Sequence, residues 1–393
     1  MQEQPRRPAH ILALGEAPIP SATLGVSAVF EALESKARIC EFRFGSSVDP
    51  RPEDLAWADS VILVRGASPS ERRLLAEAHR LGRRVATYMD DDLEMIPADA
   101  RSAYFFSATT IRENLEHIIR SADDVLVCSD LLGEELERRH HCRPVRMLQP
   151  RPPRLPGETV PNPPQAPIAI GFLGSVDHSS FLDELLGDVL REIQKHYGDA
   201  IQMVFCGAEP RIARLLGARC LPFESDLHTW RRTALGLGLQ IGLAPLRDTV
   251  FHQRKYWNKY LEYGSLGLAG IYTNIPPNGE VVRDGSTGLL CANEPEKWHA
   301  SLRSLVDDPE RRRKIGHAAY LDVESRFSAG ALIDHWQTAL APLLSHRAPT
   351  RRAEDVRLRA GALWHLVDRL SVYGIRRFTE RVVGRMSGRL RPG

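Results

Sequence analysis

Nine of the chain's 27 prolines fall between Pro144 and Pro167, a density that forbids a continuous helix or a central strand and keeps the backbone extended. Such a segment joins two folded parts; it does not run through a core. The same rhythm stands on both sides of it. Before it, the apolar runs HILALG, SVILVR, RVATYM and DVLVC alternate with helix-like stretches such as Pro69 to Leu81 and Ile111 to Ser121. After it, IAIGFLG, IQMVFCG, LQIGLAPL and GIYTN repeat the pattern, with a long amphipathic stretch from Phe181 to Tyr197. Short apolar strands alternating with helices build parallel sheets. The expected fold is therefore α/β, with two Rossmann-like parallel domains facing across a cleft. Their expected bounds are residues 1–150, a Pro-rich linker at 151–167, a second domain at 168–344 and a basic tail at 345–393.

Composition agrees with two cores. At roughly 100 to 200 residues per domain, 393 residues make two domains, and 43% hydrophobic with 26% charged residues is the balance of a folded chain. No apolar run reaches the roughly 18 residues that span a bilayer, and the start carries Arg6 and Arg7 without a signal-peptide stretch. The expected location is cytoplasmic. Six scattered cysteines with no C-x-x-C pair suggest neither a disulfide framework nor a zinc site, and read as reduced, mostly buried thiols.

A net charge of +2 argues against a general nucleic-acid binder. The charge is nevertheless uneven: from Ser345 onward there are twelve Arg against four acids, which leaves the rest of the chain near −6. Val356 to Arg391 mixes those arginines with Leu358, Leu363, Trp364, Val367, Leu370, Ile375 and Phe378. Two readings stand: a basic amphipathic helix lying on anionic lipid at the inner face of a membrane, or an apolar stripe packed back onto the first domain.

In open parallel sheets ligands bind beyond the carboxyl ends of the strands. Three segments there carry chemistry. In IAIGFLGSVDHSSF a strand ends in Gly174 and Ser175 before a helix, a place where backbone N–H groups approach a phosphate, or else a plain strand-to-helix turn. His178 follows as a donor to a phosphate or sugar oxygen, or as ordinary surface. In FHQRKYWNKYLEYGSLGLAGIYTN, Lys259 and Lys255 stand three and seven residues before Glu262, so the three are expected on one helical face with Asn258 beside them. Lysines suit a diphosphate and a carboxylate suits vicinal sugar hydroxyls; the other reading is a solvated face of ion pairs. Tyr256, Trp257, Tyr260 and Tyr263 among those charges are unusual for a merely solvated face. In VATYMDDDLEMIP, Asp90, Asp91 and Asp92 repel one another unless something positive faces them, or unless one of them caps a helix. Arg65 and the turn from Gly15 to Gly25 line the same expected edge. The glycines of LGLGLQIGLAP precede or interrupt a strand and cannot cradle a dinucleotide.

The second half resembles the GT-B-fold glycosyltransferases of bacterial cell-surface polysaccharide synthesis, particularly the retaining type (glycosyl transferases group 1, family 4-like). IGFLGSVDH, IQMVFCG, IGLAPL, K-x3-K-x2-E-Y, GIYTN and VVRDGSTGLLC run in the family's order over Ile168 to Phe327. The resemblance implies a metal-independent glycosyltransferase with no cofactor, a nucleotide-diphosphate sugar as donor, and a glycan or lipid-linked acceptor. It implies phosphate binding by Lys255 and Lys259, ribose binding by Glu262, and backbone donors around Asn278 and Gly279 in the stretch 275–287, which reads equally as structural turns. By the same resemblance the aspartates, Asp91 among them, are expected on the acceptor side, at the reaction centre. One departure stands out: Arg254 occupies the position of the first glutamate of the family's E-x7-E motif, which contacts the transferred sugar. A nucleotide-sugar epimerase on the same fold, or a non-catalytic sugar-nucleotide-binding subunit, are the alternatives.

Overall fold

In the computed structural model, residues 7–16, 19–100, 102–159, 166–358, 367 and 370 are described. The chain forms two compact units. One comprises residues up to Leu148 together with those from Ile333 onward, and the other spans Gln149–Leu332.

The first unit holds six parallel strands: β1 (Ala9–Gly15), β2 (Cys40–Ser46), β3 (Ser60–Val64), β4 (Arg84–Met89), β5 (Asp124–Val127) and β6 (Pro144–Arg146), in the order β2-β1-β3-β4-β5-β6. The order reverses direction between β1 and β3. The second holds β7 (Ile168–Leu173), β8 (Ile201–Cys206), β9 (Arg219–Leu221), β10 (Leu239–Ala244), β11 (Ala269–Thr273) and β12 (Leu289–Cys291), in the order β12-β11-β10-β7-β8-β9. Its reversal lies between β7 and β10.

Local chemistry sets the helices between them. Ser68 accepts from the Glu71 N–H and the Glu71 carboxylate accepts from the Ser68 N–H, a reciprocal cap that starts the helix Pro69–Arg80 with Pro at its first position. Gly198 closes the helix Ser179–Tyr197 at positive φ, where a side chain would be strained. The second core gathers Phe172, Leu186, Leu190, Phe205, Ile241, Ile271, Trp298 and Leu302, all nearly dry.

The first unit is discontinuous in sequence, and side chains hold its last piece. Trp336 donates its indole N–H to the Leu148 carbonyl (2.8 Å), the Ser60 hydroxyl donates to Leu343 O (3.0 Å) and Arg83 donates to Pro349 O (2.8 Å). The division at Leu332 and Ile333 thus falls before the expected bound at residue 344, because Trp336 and Leu343 find their partners in the first unit. Val356 and Leu358 pack against the core under the Pro69–Arg80 helix. Most of the Val356 to Arg391 segment lies outside the described residues, as does the membrane contact expected of it. Among the described residues no helix is long and apolar enough to cross a membrane. Of the six cysteines four are buried, Cys142 is half-buried and Cys220 is exposed.

Candidate active site

Strand order directs attention to the carboxyl ends of β7 and β10, where the second sheet changes direction. From β7 the chain passes Gly174 and Ser175 into a short turn, Val176–His178, and then into the helix Ser179–Tyr197. Gly174 gives its N–H to Cys206 O (2.9 Å), and Gly207, at φ +81°, sits so close that a Cβ there would lie 2.0 Å from Gly174 O. Two strand ends are thereby locked together. The His178 ring takes its place against Ser175, with Nδ1 3.2 Å from the hydroxyl and 3.2 Å from the carbonyl oxygen. Phe172 and Phe181 flank it at centroid distances of 5.3 and 5.1 Å.

Beyond β10 a short helix, Val250–Gln253, is capped by the Thr249 hydroxyl, and the helix Asn258–Ser265 follows. Lys255 lies in the bend between them, not on the helix. The expected single helical face therefore includes Lys259, Glu262 and Asn258 but not Lys255. The bend is set by Tyr256 and Trp257, which turn into the core; the Tyr256 hydroxyl meets the Gln149 backbone N–H at 3.1 Å. Tyr260 and Tyr263 are fully buried as well, donating to Asp322 Oδ2 and to Leu243 O, both at 2.6 Å. Of the aromatic residues that looked out of place on a solvated face, Tyr260 and Tyr263 are the helix's inner side and Tyr256 and Trp257 anchor the bend before it.

Both ammonium groups nevertheless act on His178, past the end of β7. Lys259 Nζ lies 2.7 Å from Glu262 Oε2 and 5.8 Å from the Phe172 ring centre, and Lys255 Nζ lies 4.5 Å from the centre of Phe251. His178 feels both: burial pushes its pKa down to about 3, with the charges of Lys259 and then Lys255 adding to the effect. The imidazole is therefore neutral at physiological pH. Since its folded pKa lies below the ordinary 6.5, the unfolded chain takes up the proton first and stability falls as pH drops from 6.5 toward 3. His178→Asn, which does not titrate, is expected to flatten that decline in urea midpoints measured across this range; an identical slope in the variant would contradict the placement.

His252 is a neighbour that sequence reading missed. It is buried, its Nδ1 lies 2.7 Å from the Thr249 hydroxyl, and its ring meets Phe181 at 6.0 Å. A histidine three residues before a lysine was the one available signal. Asn278 and Gly279, in contrast, are engaged locally. The Asn278 side-chain amide donates to Thr273 O (3.0 Å) and the Gly279 backbone N–H to Ile275 O (3.2 Å). Arg254 closes the Val250–Gln253 helix.

The three aspartates lie in the first unit, past the end of β4. No helix starts there, so the cap reading is overturned; residues 90–99 form turns and loop. The positive partners come from far along the chain. Arg65 grips Asp90 with two hydrogen bonds, 2.5 and 2.6 Å, and reaches Asp91 at 3.4 Å, while Arg139 pairs with Asp92 and Glu94. The Arg65 charge holds the buried Asp90 carboxyl below its ordinary value against the upward push of desolvation. Asp91 is the most open of the trio. Arg65 itself sits at φ +53°, a conformation costing a bulky residue about 1–2 kcal/mol; Arg38 and His141 share it as helix C-caps, but Arg65 follows a strand. Arg65→Met is expected to leave Asp90 buried without its counter-charge and to cost about 3–5 kcal/mol in chemical denaturation.

Two parallel six-stranded sheets flanked by helices are the architecture of the GT-B fold, and solved GT-B structures superpose on the chain. Sucrose-phosphate synthase from Thermosynechococcus elongatus does so with a TM-score of 0.61 at 12% identity, covering 86% of this chain and 99% of that one. HepE from Anabaena, crystallised with UDP and glucose, gives 0.57 at 13% identity over 85% of this chain and 100% of its own. A glycosyltransferase from Rickettsia africae gives 0.55 at 13% identity over 87% and 100%. Residues 259–322 match the family model described as Glycosyl transferases group 1, a stretch that begins at Lys259 and contains Glu262. No curated protein sequence matches the chain.

Proposed function

We propose that the protein is a glycosyltransferase that binds a nucleotide-diphosphate sugar on its second unit and takes a glycan or lipid-linked acceptor on its first. One observation carries this reading: the charges of two lysines from separate backbone segments both act on a buried, neutral histidine just past the end of β7, with a carboxylate 2.7 Å from one of them. Lys255 and Lys259 neutralise the charge that grows on the departing diphosphate, the term that usually dominates such catalysis. The first turn of the helix Asn258–Ser265 adds its positive end. Glu262 exchanges its ion pair with Lys259 for the hydroxyls of the donor ribose, and Gly174, Ser175 and His178 frame the phosphates. Neighbours solved with UDP or UDP-glucose support a nucleotide-sugar donor.

In the same reading transfer proceeds with retention at the anomeric carbon, in cell-surface polysaccharide synthesis at the cytoplasmic face of a membrane, with Asp91 on the acceptor side. The two lysines do the work for which other transferases use a divalent ion, so activity is expected to survive exhaustive EDTA treatment unchanged; a loss restored by Mg²⁺ or Mn²⁺ would refute that role.

The testing experiment is a thermal-shift screen over nucleoside diphosphates and their sugars, followed by product analysis. A stabilising donor that is transferred supports the proposal. Conversion of the donor without an acceptor points to an epimerase, and binding without any turnover to the non-catalytic subunit that Arg254, in place of the motif's first glutamate, would favour.

A further inference from the structure

A cavity of about 470 Å³ opens in the first unit at the opposite edge of its sheet, beside the amino ends of β1, β3 and β4. Its wall includes Arg7, His10, Trp57, Asp59, Arg83 and Arg351. Three of these six are arginines, from chain segments far apart in sequence. Glu53 also lines it but lies exposed at the surface.

The acid at the cavity is already committed. Asp59 receives two hydrogen bonds from Arg7 (2.6 and 2.7 Å), one from the His10 N–H (3.0 Å) and one from the Ala348 N–H (2.9 Å). Arg83 is in the reverse position. It is only 4% exposed, and its two terminal nitrogens donate to neutral carbonyls, Pro349 O and Ala56 O, both at 2.8 Å. Its Nε–H is buried and has no hydrogen-bond partner. Burial and the nearby charges of Arg351 and Arg7 all disfavour its cation, with Asp59 alone opposing them. Leaving a donor of a buried charged group unsatisfied is costly, and such a group in a native fold usually answers to a water or an ion. Arg83 lines a cavity wide enough for a small molecule, and the charges of Arg351 and Arg7 on the same wall act on it. Trp57, stacked on His10 at 4.5 Å, gives that cavity an aromatic wall.

We propose that this cavity is a second ligand site, binding the phosphate group of a small phosphorylated compound or of a phospholipid headgroup through Arg83 and Arg351. An anion there supplies the charge that Arg83 lacks and draws the exposed Arg351 inward. Lipid and soluble sources share this chemistry, and the Arg-rich segment that follows Arg351 suits either.

The test uses the full chain carrying K255A and K259A, so that phosphate does not bind at the lysine pair, and titrates inorganic phosphate by calorimetry. A single saturable event is expected, weakened about tenfold by Arg351→Ala and by Arg83→Met. Arg351 is exposed, so its variant carries the test if the Arg83 variant does not fold. Vesicles of phosphatidylcholine with phosphatidic acid are then added. Competition with inorganic phosphate that is sensitive to Arg351→Ala assigns a lipid headgroup, and its absence assigns a soluble compound; both support the site. No saturable phosphate binding, or binding unchanged in both variants, overturns it.

Discussion

Replacing Lys259 with alanine is expected to lower donor turnover by about 10²–10³-fold, the loss that follows removal of one group stabilising charge in the transition state. Its cost to the fold is expected to be small. Lys259 is about one-fifth exposed, its ion pair with Glu262 spans three residues of one helix, and pairs of that kind contribute about 0–1 kcal/mol. Activity and stability therefore separate, which a merely structural lysine would not allow. Release of nucleoside diphosphate measured alongside thermal denaturation reads both. Full turnover in Lys259→Ala, or a collapse in melting temperature matching the loss of activity, would remove the phosphate role. Lys255→Ala is expected to behave alike although it stands off the helix, since both charges act on the same histidine.

Gly207→Ala is expected to do the opposite, damaging fold and donor binding together. At φ +81° the backbone is strained for any side chain, and the added methyl would stand 2.0 Å from the Gly174 carbonyl, an atom of the backbone with nowhere to yield. The turn bearing Ser175 and His178 must move. A loss of about 3 kcal/mol or more and a raised KM for the donor are expected. Gly187→Ala supplies the contrast: inside the helix Ser179–Tyr197 a Cβ at this position meets nothing within 4 Å, and the exchange is expected to stabilise by about 0.5–1 kcal/mol. Equal melting temperatures for the two variants would contradict the packing described here.

How much of this was legible in the sequence depends on where a strand lies in its sheet. The eight apolar runs named at the outset are the inner strands β1, β3, β4, β5, β7, β8, β10 and β11. Helices cover both their faces, so each reads as an unbroken apolar stretch. The edges β2, β6, β9 and β12 carry partly exposed residues, alternate weakly, and in β6 begin with proline, which an edge accepts because its N–H is not needed. The donor-side candidates came from short local strings, and Lys259 with Glu262 were readable because a helix turns local spacing into contact. Lys255 was brought in by a bend that spacing does not encode. The partners of the aspartates were hidden for a simpler reason: Arg65 and Arg139 lie 25 and 47 residues away from the carboxylates they hold, and only the sheet brings them together.

The interrupted first unit sets an order on the birth of the molecule. A ribosome delivers Gln149–Leu332 whole before it delivers the residues that tie Ser60, Arg83 and Leu148 to the chain's final portion. The later-made half can close its own core first, while the earlier-made half waits for its last helix, and a message cut short after Leu332 would yield a finished second unit attached to an unsealed first one.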